Sequence, residues 1–266
     1  MSRANGQRSN SDTEENITQM AMTMKKTALI TGATSGIGEA CARKFAAGGY
    51  NLIITGRRAD RLEKIKTTLE AMGAEVVTLA FDVRDDEAAT KAIASLDEGW
   101  QEIDVLINNA RVDPYKRPAE MGDTAWFDRV FGVNLKGPYL CSFAAAEKMK
   151  GRSGKIVNIS SVWAYRAANR RMLEYAMSKA ALHTLTRSLA KQLAPGITVN
   201  AVAPGMIESK EIQERLTPQE QEALRKSIPL ARAGTAREIS NAVRFLLEND
   251  YVTGEILNIN GGTQFV

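Results

Sequence analysis

The chain has 266 residues, with 35 Lys and Arg against 31 Asp and Glu for a formal net charge of +4, and 44% of its residues are hydrophobic. This composition, with a mean hydropathy of −0.25, suits a soluble globular protein with a sizeable core and argues against extended or low-complexity structure. No run approaches the roughly 18 apolar residues of a membrane helix, the N-terminus carries no apolar leader, and no basic stripe or aromatic motif suggests nucleic-acid binding; the expected compartment is the cytoplasm.

Residues 1–24 are polar and without apolar period, and are expected to be a disordered tail. From Lys25 short β-rich runs alternate with helix-like stretches, the pattern of βαβ units. Strands are expected at Lys26–Thr31, Asn51–Thr55, Glu75–Ala80, Ile103–Ile107, Lys155–Ser160, Ile197–Val202 and Glu255–Ile259. Runs such as Val105-Leu106-Ile107 are apolar on both faces, as parallel strands between two helix layers must be. The expected architecture is α/β, one doubly wound Rossmann-type domain over residues 25–266 with a seven-stranded parallel sheet.

The first βα turn reads Thr31-Gly32-Ala33-Thr34-Ser35-Gly36-Ile37-Gly38. Its glycines permit a tight turn and let a pyrophosphate approach backbone amides at a helix N-terminus. Where dinucleotide folds place a ribose-binding carboxylate, 18 residues beyond Gly38, stand Gly56, Arg57 and Arg58. Guanidiniums without a carboxylate favour a 2′-phosphate, hence NADP over NAD; the alternative is a solvated arginine pair opening a helix. Cys41 and Cys141 fit no CxxC or disulfide framework and are expected to be reduced and packed on helices. The single histidine, His183, removes most zinc-site and Ser-His-Asp schemes, and is expected to be a packing residue.

A helix is expected over Leu173–Leu193, carrying Tyr175 and Lys179 four residues apart on one face. A nearby positive charge lowers a phenol pKa that starts near about 10, enabling proton exchange with a substrate oxygen. Ser160-Ser161 precedes this pair at a strand end, and Asn134 lies in Val133-Asn134-Leu135-Lys136-Gly137.

With the glycine turn, Phe81-Asp82-Val83, Asn108-Asn109-Ala110, Asn134, Ser161, Tyr175 with Lys179, and Pro204-Gly205 in order, the chain resembles the short-chain dehydrogenase/reductase family in its NADP-preferring, single-domain form. The resemblance spans about Lys25 to Val266. It implies that Tyr175 protonates a carbonyl oxygen as NADPH delivers hydride, and that Ser161 polarises that oxygen. Lys179 would grip the nicotinamide ribose and lower the tyrosine pKa, while Asn134 would hold a water relaying protons to Lys179. Asp82 and Val83 would meet the adenine edge, Asn109 and Ala110 its face, and Ile207 and Ser209 the carboxamide and phosphate side. It also implies homo-oligomerisation, commonly a tetramer, through the helices after Asn134 and containing Tyr175, and through the C-terminal strand.

Two departures stand out. Arg111 replaces the usual glycine after Asn-Asn-Ala, which leaves open a structural accommodation or a contact to substrate or cofactor. The segment between Ser161 and Tyr175 is slightly long and contains Arg166, Arg170 and Arg171. Arg111 or one of these would pair with an anionic substrate group; solvated surface arginines are the alternative. Glu208–Ser227 reads as a helical lid or a packed surface helix.

The C-terminal portion, including Ile228-Pro229-Leu230 and Asn260-Gly261-Gly262, looks most like 3-oxoacyl-acyl-carrier-protein reductases, with Arg152 at a carrier-docking position. Gly56 through Ile65 looks more like NADP-dependent 3-hydroxy acid or serine dehydrogenases. The best expectation is reduction of a 3-oxoacyl thioester; the alternatives are another ketone, sugar or polyol, or a non-catalytic NADPH-binding regulator.

Overall fold

The computed structural model describes residues 25–151 and 153–265; the expected polar tail over residues 1–24 and Arg152 lie outside the described residues. Seven strands form one sheet: β1 (Thr27–Thr31), β2 (Asn51–Gly56), β3 (Val76–Ala80), β4 (Val105–Asn108), β5 (Gly154–Ile159), β6 (Ile197–Pro204) and β7 (Ile256–Ile259). Their order is β3-β2-β1-β4-β5-β6-β7, and every pairing is parallel.

The continuous apolar runs are explained by burial on both faces. Along β1, Ala28 and Ile30 enter one core and Leu29 the other, following the two-residue period of a strand. The first core is closed by α1 (Gly36–Ala47), α2 (Ala59–Glu70) and α9 (Ala236–Glu248), through Phe45, Leu62, Leu69, Val243 and Leu246. The second is closed by α3 (Asp86–Ala94), α5 (Gly137–Lys148) and α6 (Leu173–Leu193), through Ile93, Ala145 and Leu189. Cys41 and Cys141 are free and buried on opposite sides of the sheet, their thiols pushed up to about 12 by burial.

Each expected strand is present, with ends moved by one or two residues. The sixth runs on to Pro204 because Ala203 and Pro204 still pair with Asn258 and Ile259. The α6 helix has the limits its periodicity predicts. The chain winds outward from β1 to β3, then returns to place β4 against the other side of β1. That reversal opens a crevice at the carboxyl ends of β1 and β4, the place where open α/β sheets bind ligands.

Candidate active site

The turn after β1 is clasped to the end of β4. The Thr31 hydroxyl accepts the backbone N–H groups of Asn109 at 3.0 Å and Ala110 at 3.1 Å. The Asn109 amide donates back to the carbonyls of Thr31 at 3.1 Å and Gly32 at 2.9 Å. The Asn109 side chain thus holds the glycine turn against the end of β4. A Cβ on Gly38 would overlap the Asn109 amide and the Gly32 carbonyl, and one on Gly32 would come 2.9 Å from Ala110 Cα. Gly36 differs: it has φ +57° and no atom within 4 Å of where a Cβ would stand.

The α1 N-terminus suits an anion. Ser35 is its cap residue, yet the Ser35 side chain makes no capping bond, so the leading amides are not occupied by it. Thr34 stands over Gly56, where an added Cβ would touch its methyl at 3.4 Å, and Ile37 packs against the first core. Arg57 and Arg58 are exposed at the end of β2, with no carboxylate before Asp60. Burial acts to raise the Asp82 carboxyl, but hydrogen bonds from Arg84, together with the charges of Arg84 and Arg57, hold it below the ordinary value. Val83 fills the space beside Gly137. These features fit a dinucleotide with its diphosphate at the glycine turn.

The second half of the site rests on a helix defect. Between α4 (Asp123–Phe131) and α5 the chain makes a π turn over Gly132–Lys136 that contains Asn134, fully buried. Such turns recur at functional sites. Pro138, four residues on, has no N–H, so the Asn134 carbonyl lacks the donor an α-helix would supply. The Asn134 side chain is committed: Oδ1 accepts from the Val112 N–H at 2.9 Å, and Nδ2 donates to the Ser178 hydroxyl at 3.0 Å.

Ser178 precedes Lys179 on α6 and donates to the Tyr175 carbonyl at 2.8 Å. Lys179 is buried, its Nζ donating to the Ile159 carbonyl at 2.7 Å. Burial and then the Arg111 charge bring its pKa down to about 7. Tyr175 is buried beside it, and its phenol is raised: burial dominates, the Arg111 charge and a hydrogen bond with Ser161 oppose, and Asp113 adds to the rise. Arg111 is the cation that favours the Tyr175 phenolate here, against the effect of burial. Ser161 caps a short 3₁₀ turn, Val162–Tyr165, by accepting from the Trp163 N–H at 3.3 Å.

His183 does more than pack. Its Nε2 lies 2.7 Å from the Ser160 hydroxyl, and its ring sits 4.8 Å from that of Tyr165. Burial, then the charges of Arg187 and Lys179, lower its pKa to about 4. No sequence period links Ser160 to His183; the available signal was a serine pair at a strand end opposite a helix bearing a lone histidine.

Beyond β6, a Cβ on Gly205 would meet Asn260 Cα at 2.7 Å, so Pro204-Gly205 passes tightly against the chain after β7. Ile207 bridges to Gly234, and Ser209 caps α7 (Lys210–Arg215) by accepting from Ile212 N–H at 3.3 Å. Glu208–Ser227 forms two short helices, α7 and α8 (Pro218–Lys226). The Arg215 guanidinium lies 3.5 Å from the centre of the Tyr115 ring, and that of Arg171 lies 5.6 Å from it. Among the described residues no His, Cys, Asp or Glu group is arranged to hold a metal ion, and no helix is long and apolar enough to cross a membrane.

Comparison with known proteins agrees with this geometry. Residues 32–264 match the family described as Enoyl-(Acyl carrier protein) reductase. The chain is 39% identical over 241 residues to the 3-oxoacyl-[acyl-carrier-protein] reductase FabG of Pseudomonas aeruginosa, covering 89% of this chain and 96% of that one. It is 37% identical over 242 residues to the FabG of Aquifex aeolicus, with the same coverage of 89% and 96%. Among solved structures, a 7α-hydroxysteroid dehydrogenase complexed with NADH and 7-oxo glycochenodeoxycholic acid superposes with a TM-score of 0.81 at 30% identity, covering 89% of this chain and 93% of that one. The chain belongs to the short-chain dehydrogenase/reductase family and is an oxidoreductase acting on CH–OH groups with a nicotinamide cofactor.

Proposed function

We propose that this short-chain dehydrogenase/reductase reduces the carbonyl of a 3-oxoacyl compound with NADPH, Tyr175 supplying the proton. The observation that carries the reading is the convergence of Ser161, Tyr175, Lys179 and the π turn of Asn134 at the carboxyl ends of the central strands. That convergence also weighs against a non-catalytic regulator. The FabG relatives support a 3-oxoacyl thioester as substrate.

When bound, a reduced nicotinamide cofactor would supply the hydride for the carbonyl carbon. Gly32, Thr34, Ser35, Gly36, Ile37 and Gly38 would hold its diphosphate, and Arg57 and Arg58 a 2′-phosphate. Asp82, Val83, Asn109 and Ala110 would border the adenosine; Pro204, Gly205, Ile207 and Ser209 would border the nicotinamide. The Tyr175 phenol donates its proton to the carbonyl oxygen, which the Ser161 hydroxyl holds by a hydrogen bond. A raised phenol pKa keeps that proton in place until the oxygen takes on negative charge. Lys179, lowered by burial and held to the Ile159 carbonyl beside Tyr175, would grip the nicotinamide ribose and link the phenol to a proton source through it. Water delivering that proton would be held at the Asn134 carbonyl, since the Asn134 side chain is committed elsewhere.

We place the enzyme in the cytoplasm, consistent with its free buried cysteines. Exposed Tyr139, Phe143, Phe127 and Met177 on α4, α5 and α6 support association of subunits through that face, and Phe245, Tyr251 and Phe265 support a second contact. A mass in solution of two or four chains is expected; a concentration-independent monomer contradicts it. The catalytic reading is tested by NADPH-dependent reduction of an acetoacetyl thioester: turnover abolished in Y175F with NADPH binding retained supports it, and retained turnover contradicts the assignment of the donor.

A further inference from the structure

Of the arginines flanking the crevice, three are engaged. Arg166 donates to the carbonyl of Thr263 and, at 3.3 Å, to Gln264. Arg170 is paired with Asp123 and Glu174, each at 2.7 Å. Arg171 lies against the Tyr115 ring. Arg111 is exposed, and no hydrogen-bond or ion-pair partner accompanies it among the described residues.

Its position is nevertheless tightly set. On one side the Ala110 N–H is held by Thr31 at 3.1 Å, and on the other the Val112 N–H is held by Asn134 at 2.9 Å. Asn134 is in turn tied through Ser178 to the helix that carries Tyr175 and Lys179. The backbone of Arg111 is therefore clamped between the nucleotide turn and the proton-transfer groups. Its charge reaches both: it favours the Tyr175 phenolate and disfavours protonation of Lys179. The neighbouring acid, Asp113, accepts from the Tyr115 N–H at 3.0 Å within its own loop.

An unpaired guanidinium whose charge acts on a buried amine is relieved by an anion that arrives with the substrate, and a carboxylate matches its planar donor fork. We infer that Arg111 determines substrate specificity by pairing with a carboxylate only a few bonds from the reacting carbonyl, so that free 3-oxo and 3-hydroxy acids are preferred over uncharged analogues. This rests on the oxidoreductase reading above and names the substrate class within it. The phosphate of a phosphopantetheine thioester is many bonds from the carbonyl and would fall away from Arg111.

The test is direct binding to the protein saturated with oxidised nicotinamide dinucleotide, followed by calorimetry. The ligands are 3-oxobutanoate, its methyl ester and acetoacetyl-phosphopantetheine. The acid is expected to bind about tenfold or more tightly than the ester, and the preference to vanish in the two independent neutral variants R111Q and R111G, with R111K retaining part of it. Equal affinity of acid and ester for the native protein, or a preference that survives in either neutral variant, overturns the inference. So does a loss in those variants confined to the phosphopantetheine thioester. Oxidation of NADPH is read separately with all three ligands: its absence with every one of them counts against the reductase reading while leaving the carboxylate preference measurable.

Discussion

The Lys179 ammonium nitrogen lies 5.8 Å from the centre of the Tyr175 ring and donates its hydrogen bond to the Ile159 carbonyl, at the last residue of β5. Lysine and tyrosine are thus neighbours on one helix, but the lysine is anchored to the sheet. The phenol is left to Ser161 and to the substrate oxygen.

Removal of the phenol hydroxyl alone, in Tyr175→Phe, should lower kcat by roughly 10²–10⁴-fold, the range for loss of a positioned general acid. Binding of NADPH, followed by quenching of protein fluorescence, should be unchanged.

Lys179 makes stability depend on pH. Its folded value of about 7 lies below its ordinary 10.5, so the unfolded chain binds the extra proton between these limits. The contribution of this group is therefore fully present above about 10.5 and lost as pH falls through about 7. His183 behaves likewise at lower pH, its contribution being lost as pH falls from 6.5 through about 4. Urea midpoints measured across pH should show the upper slope reduced in K179M and the lower one reduced in H183F. Slopes unchanged in both variants would contradict these assignments.

The glycines of the turn should separate by experiment. Gly38→Ala forces a methyl into the Asn109 amide and should cost about 1–3 kcal/mol of stability by overpacking. Gly36→Ala meets no atom, so its cost is that of a positive φ alone, about 1 kcal/mol. Loss of cofactor affinity is expected to dominate the phenotype of Gly36→Ala. Paired denaturation and NADPH titrations check both.

Asn134→Ala should leave the Val112 N–H and the Ser178 hydroxyl without their acceptor and donor in a buried site, at about 1–3 kcal/mol. Because Val112 adjoins Arg111, the variant should also weaken discrimination between acid and ester. Arg57→Ala with Arg58→Ala should raise KM for NADPH by about tenfold or more and leave KM for NADH nearly unchanged.

The architecture was readable wherever it depends on local period. Runs such as Val105-Leu106-Ile107 announce a strand buried on both faces, and the spacing over Leu173–Leu193 gives α6 its limits. The catalytic candidates were readable because the family resemblance carries them residue by residue. What could not be read depends on contacts between distant segments. The Asn109 side-chain amide donates to the Thr31 carbonyl across 78 positions, and that bond, not the cofactor alone, explains why Gly38 must lack a side chain. Ser160 finds His183 only after α6 folds over β5. The depressed Lys179 and the raised Tyr175 arise from burial, which no spacing of four residues reveals.

The most direct test of the account is the loss of NADPH absorbance with an acetoacetyl thioester and with 3-oxobutanoate, for the native enzyme and Y175F. The account predicts NADPH-dependent turnover by the native protein, faster than with NADH, and turnover roughly 10²-fold or more slower in Y175F. Turnover undiminished in Y175F, or a native protein that binds NADPH and reduces neither substrate, would contradict it.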